Sequence, residues 1–181
     1  MGRAGALSFL LLCPVLAFAQ SMCECDPARP ETLRQRECSL CSEAEKHAAG
    51  EVFFLKDINP RKPNRWLALP KQHGPGKHPL HEMSPAGRAQ LWKAAIQKGV
   101  ELWGEGNWGA AYNGAKVRTQ CHAHVHIGKF VTVSELNRDF LVVSRPEDIP
   151  VPADQGVWIH PVGNKLHVHL GEQITETVLL R

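Results

Sequence analysis

Residues His122-Ala123-His124-Val125-His126-Ile127 alternate imidazole with small or apolar side chains without a break. A period of two is the pattern of a β-strand, whose successive side chains point to opposite faces. A helix would put His122 and His126 on one face and His124 on the opposite one. The segment therefore predicts a strand with Ala123, Val125 and Ile127 in a core and His122, His124 and His126 along the other face. Same-face neighbours on one strand stand about 7 Å apart. That is too far for all three to hold one ion without distortion, but suitable for touching successive parts of an extended anion. A neutral imidazole is a good nucleophile toward phosphorus, and a protonated one stabilises phosphate oxygens. The bland alternative is a solvent-facing strand that happens to be rich in histidine.

The rest of the chain supplies a setting for that strand. Ala28–Lys46 reads as a short polar helix carrying Cys38-x-x-Cys41. Glu51–Lys56 and Arg65–Leu69 read as strands around a turn with Pro60 and Pro63. Ser84-Pro85 is a helix start, with serine as the cap and proline at the first helical position. That helix runs to about Trp103, where Gly104 stops it, and Trp92, Ala95, Ile96, Gly99, Val100 and Trp103 form its apolar stripe. Strands follow near Trp108–Asn113 and His122–Phe130. Beyond the proline-rich segment Glu147–Gln155, Val157–His160 and Lys165–Leu170 flank a hairpin turn, and Ile174–Leu180 reads as a last strand. His167-Val168-His169 repeats the alternation, as an exposed strand face or as a second metal site.

At the other end, Arg3 precedes an apolar run from Leu7 to Ala19 that closes on Ala17-Phe18-Ala19. This is the pattern of a cleavable secretory signal peptide over residues 1–20, with an uncleaved anchor as the alternative. No later stretch is apolar enough for a stable membrane span. The expected location is secreted or periplasmic. Residues 21–145 and 146–181 then divide into a main domain and a C-terminal β extension. The formal charge of +3, from 21 basic and 18 acidic residues, is too small to imply a nucleic-acid polymer as partner. Export favours disulfides, whereas Cys38-x-x-Cys41 fits a disulfide, a redox site or half of a zinc site. Cys121 reads as a core residue, and Cys23 and Cys25 have no assigned role.

Four motifs occur in one order: Cys38-x-x-Cys41; Asp57-Ile58-Asn59-Pro60; Leu67-Ala68-Leu69-Pro70-Lys71-Gln72-His73; and His122-x-His124-x-His126. In this the chain resembles the histidine-triad superfamily of nucleotide hydrolases and transferases, over about Cys38–Lys129. The resemblance implies an α+β, two-layer fold, an antiparallel sheet of about five strands with a long helix, here followed by the C-terminal β-hairpin extension. It also implies a homodimer formed through the long helix.

For the site, the resemblance implies that His124 attacks the α-phosphorus of a nucleotide or nucleotide-linked substrate, forming a phosphohistidine that water or another acceptor resolves. His126 would stabilise phosphate charge and Thr119 would meet the leaving group. Asp57 would hold ribose hydroxyls, and Asn113, Gln120 and Arg118 would contact the substrate. Zinc-containing members imply a structural zinc on Cys38, Cys41, His73 and His122, against the alternative of a disulfide between Cys38 and Cys41. The chain departs from the pattern where Val117-Arg118 replaces a usual Gly-Gln and where Arg65 stands at a position often occupied by histidine. Arg118-Thr119-Gln120 is instead similar to the CDP-diacylglycerol pyrophosphatase branch, which is also exported and acts on a lipid-linked pyrophosphate. A rival of another kind is a non-catalytic periplasmic metal-binding protein.

Overall fold

The computed structural model describes residues 23–71, 79–136 and 138–181. The leader expected over residues 1–20 lies outside the described residues, as do His73 and His78. Seven strands, β1 (Val52–Lys56), β2 (Trp66–Pro70), β3 (Trp108–Tyr112), β4 (Val125–Lys129), β5 (Leu141–Val143), β6 (Val157–Val162) and β7 (Lys165–Leu170), form one sheet. Their order is β1-β2-β4-β3-β6-β7-β5, and every neighbouring pair is antiparallel. Two α-helices accompany it, α1 (Ser39–Ala44) and α2 (Pro85–Trp103). The class is thus α+β with an antiparallel sheet. Among the described residues, no helix is long and apolar enough to cross a membrane.

Three local expectations give way to tertiary structure. The polar helix expected over Ala28–Lys46 is two 3₁₀ turns, Thr32–Arg34 and Arg36–Cys38, leading into the short α1. Pro30 supplies no N–H, and the Thr32 hydroxyl binds back to the Asp26 and Arg29 carbonyls. The 146–181 extension joins the main sheet: β6 pairs with β3, with Ala110 opposite Ile159, and the sheet has seven strands rather than about five. Its last residues, expected as a strand, form a 3₁₀ turn at Thr175–Val178 that lies over the sheet, and Leu179 bridges to Phe130. β5, a three-residue edge strand, is too short to read from alternation.

Sidedness is the organising property. On one face Ala68, Ala110, Tyr112, Val125, Ile127, Val157, Ile159, Leu166 and Val168 pack against Leu91, Trp92 and Ala95 of α2. Ser84 caps α2 by accepting from the Gly87 N–H, and Gly104 ends it at φ 76°, a left-handed conformation costly for other residues. The opposite face carries the alternate residues of the same strands: His126 on β4, Ala111 on β3, Trp158 and His160 on β6, His167 and His169 on β7. Leu179 and Phe130 cover its middle with Ala111 and Trp158. Gly109 allows this, because a Cβ there would lie 2.7 Å from Leu179 Cδ2.

Two disulfides tie the N-terminal segment to this body. Cys23 pairs with Cys121 and Cys25 with Cys38. Cys121, expected to be a plain core residue, is thus a crosslink. Cys41 is the free cysteine of the described residues, and burial pushes its thiol up to about 12. The two bonds are compatible with an oxidising compartment. The Cys23–Cys121 bond closes a loop with a sequence separation of 98. Replacing both partners by serine is expected to lower stability by about 2–5 kcal/mol in urea unfolding, with a steeper slope because the unfolded chain, freed of the crosslink, exposes more surface.

Candidate functional site

The three imidazoles sit at the entrance to β4 rather than all within it. His122 and His124 precede the first strand residue, Val125, and His126 is the second residue of the strand. All three are buried, so the solvent-facing alternative does not hold. The His122 ring places Nε2 2.7 Å from the Pro70 carbonyl oxygen, fastening the triad to the end of β2. The same residue's backbone carbonyl lies 2.8 Å from His124 Nδ1. A carbonyl only accepts, so Nδ1 of His124 carries the proton and its Nε2 carries the lone pair. The His124 and His126 rings meet edge to face, with centroids 4.9 Å apart.

Burial disfavours the charged form of both rings. It lowers the affinity of His124 for a proton, with the nearby Arg118 charge acting in the same direction. It lowers His126 well below the ordinary imidazole range, helped by His124, Arg65 and Lys62. Neither ring nitrogen of His126 has a hydrogen-bond partner among the described residues, although the ring is only 7% exposed. Its nearest anion is Glu176, with Oε2 3.7 Å from Nδ1.

Glu176 is a site residue with no local signal to mark it in the chain. It belongs to the 3₁₀ turn Thr175–Val178 and pairs with Lys62 and with Arg65, Nη1 to Oε2 at 3.0 Å. Arg65, 1% exposed, also donates to the carbonyls of Glu176, Leu179 and Leu180. Burial alone would raise the Glu176 carboxyl, yet the neighbouring charges outweigh it and hold the group down to about 2. His126 carries the largest part of that effect, followed by Lys62 and Arg65.

The remaining expected residues divide. Asp57 accepts from the Asn59 N–H in a local turn, and its charge reaches His124. Arg118 lies over the Tyr112 ring, 4.8 Å from its centroid, and donates to the Tyr112 hydroxyl. Thr119 is exposed. The Asn113 Oδ1 accepts from the Thr175 N–H, the Thr175 hydroxyl and the Glu176 N–H, which ties it to the C-terminal turn. The Gln120 carbonyl accepts from the Ser39 hydroxyl and its amide donates to the Arg36 carbonyl, which fastens α1.

The expected zinc set does not fit. Cys38 is spent in its bond to Cys25, and His73 lies outside the described residues. The described residues also bring together two clusters of ligand-type side chains: Cys25, Cys38 and Cys121, all engaged in disulfides and so not free to ligate, and Glu135, His160 and His169, which could hold a metal ion. The second group was half legible. Trp158-x-His160 and His167-x-His169 flank the hairpin turn, but only the register opposes His160 to His167. Set against known proteins, the chain matches no family model and no curated protein.

Replacing Glu176 by Gln leaves the buried Arg65 charge uncompensated. The expected cost is about 3–5 kcal/mol in urea unfolding at pH 7. The carboxyl titrates near 4.5 when free and about 2 when folded. Its contribution is therefore complete above pH 4.5 and fades as pH falls toward 2. The gap between wild type and Glu176→Gln should narrow over that window.

Proposed function

We propose that the chain is an exported phosphohydrolase or nucleotidyl transferase of the histidine-triad type, cleaving at an α-phosphate through a phosphohistidine intermediate. The observation that carries this reading is the contact between His124 Nδ1 and the His122 carbonyl, which leaves a neutral ring with its Nε2 lone pair as the nucleophile. Nε2 attacks the α-phosphorus, forming an N–P bond as the bond to the leaving oxygen or nitrogen breaks. The leaving group takes a proton, and water then attacks the phosphorus to release the nucleotide and the free imidazole. Arg118 and the unpartnered edge of His126 are the groups near His124 that can meet developing phosphate charge. Thr119 serves the leaving group and Asp57 the ribose hydroxyls in this reading. The antiparallel α+β fold supports it, as do two disulfides suited to an exported chain.

A second reading within the same chemistry is a CDP-diacylglycerol pyrophosphatase. Arg118, set on Tyr112 and close to His124, suits a substrate with two adjacent phosphates. The deciding assay offers nucleoside phosphoramidates, dinucleoside polyphosphates and CDP-lipid to wild type and to His124→Asn. Turnover of at least one class is expected, reduced at least about 10³-fold in the variant, with a nucleotidyl or phosphoryl adduct on His124 in the wild-type mass spectrum. Activity on CDP-lipid alone selects the second reading. Full activity in His124→Asn removes the residue from the mechanism, and no turnover of any class favours a non-catalytic metal-binding protein.

The nucleophile works neutral, and burial holds its pKa below the free value of 6.5. Hence kcat/KM should stay level as pH falls to 6.5 and drop only below it. An acid limb above 6.5 would contradict the neutral His124.

A further inference from the structure

The far end of the imidazole-bearing face holds a second histidine cluster that the reading above does not use. His160 on β6 stands opposite His167 on β7, and His169 follows two residues on, so all three share one face. They converge on a single oxygen. Glu135 Oε1 lies 2.5 Å from His167 Nδ1, 2.9 Å from His160 Nε2 and 3.5 Å from His169 Nε2. Glu135 ends the 3₁₀ turn Thr132–Glu135. The row His126–Ala111–Trp158–His169 runs across four strands. With strands about 4.8 Å apart, the cluster lies about 14 Å from His126.

Each imidazole is held by an aromatic ring against its flat side. Phe130 stacks on His160 at 4.1 Å, Phe140 on His167 at 4.0 Å and Trp158 on His169 at 3.5 Å, centroid to centroid. Stacked in this way, the rings can turn only their edges inward. The hydrogen bonding within the cluster is poor for such an ordered arrangement. His160 and His169 are 4% and 1% exposed, yet His160 Nε2 and both nitrogens of His169 have no hydrogen-bond partner among the described residues. His160 Nε2 faces the Glu135 carboxylate at 2.9 Å without a well-aligned hydrogen bond. Buried nitrogens left in this way are costly. A cation held by these nitrogens and the carboxylate removes that cost.

We propose that Glu135, His160 and His169, with His167 against the Glu135 carboxylate, form a binding site for one divalent transition-metal ion of the zinc class. Imidazole nitrogens with a carboxylate oxygen are the donors that borderline ions prefer, and hard calcium or magnesium would take oxygens. The ligand atoms of Glu135, His160 and His169 lie within 4.8 Å of one another, and His167 holds the carboxylate in place. The ion would fasten β6, β7 and the turn Thr132–Glu135 to one another. The inference is independent of catalysis at His124 and uses none of the cysteines.

The test uses the purified chain with its disulfides formed and Cys41 blocked, titrated with Co²⁺ and then competed with Zn²⁺. The expected result is one Co²⁺ per chain, with the intense visible absorption of a tetrahedral site, displaced by one Zn²⁺. His169→Ala and His160→Ala should abolish the absorption. These residues are buried, so Glu135→Gln and His167→Ala, at more exposed positions, serve as variants whose folding is confirmed by circular dichroism. Each should weaken binding by about 10–100-fold or more. His124→Asn should bind as wild type does. No stoichiometric binding by wild type overturns the proposal. So does unchanged affinity in folded Glu135→Gln and His167→Ala, or binding that His124→Asn abolishes.

Discussion

The guanidinium of Arg65 is the contact on which the second face of this sheet depends. It is buried at the end of the turn before β2, and it donates to a carboxylate oxygen of Glu176 and to three carbonyls of the last residues of the chain. A charge so enclosed is tolerated only when paired and fully hydrogen-bonded. Glu176 and those carbonyls provide that. The consequence is positional. The C-terminal turn cannot leave without stranding the guanidinium, so Leu179 stays over Gly109 and the Glu176 carboxylate stays beside His126.

That clamp divides the imidazole-bearing face into two compartments. On one side are His124 and His126, their charged forms disfavoured by burial, with Arg118 and Asp57 in electrostatic reach. On the other are His160, His167 and His169 around Glu135. Between them Phe130, Ala111, Trp158, Val178 and Leu179 form an apolar partition. The two groups differ in what they offer. His124 has one nitrogen committed to a carbonyl and the other available, which suits a nucleophile. The second group presents several nitrogens to a common point, which suits an ion.

The disulfides act on the first compartment from outside. Cys121 immediately precedes His122, and its bond to Cys23 anchors the approach to the triad. Gln120, beside it, is tied to the start of α1. The stretch that presents the imidazoles is therefore fixed at its N-terminal side by a covalent bond and side-chain hydrogen bonds, and at its C-terminal side by pairing of β4 with β2 and β3. Such fixation suits the proposed attack on phosphorus, which needs one orientation.

How much of this was legible in the residues follows from the range of each interaction. Alternation at His122–Ile127 and at the hairpin, the serine cap and proline start of α2, and the glycine that ends it are local, so the chain alone set the α+β class, the long helix and the sidedness of the central strand. The partners of the site were not local. Glu176 stands 111 residues from Arg65 and Glu135 stands 32 from His167, with nothing in their immediate neighbours to mark them. Asn113 and Gln120 carry the right functional groups, and the fold ties them to the C-terminal turn and to α1. The cysteines behave likewise: spacing suggested that Cys38 and Cys41 act together, whereas the distance between side chains gave Cys38 to Cys25 and left Cys41 buried as a thiol. Periodicity reports which face a side chain takes, because it is set by the backbone of its own strand. Which group it meets there is set by strands and turns far along the chain, and that only packing decides.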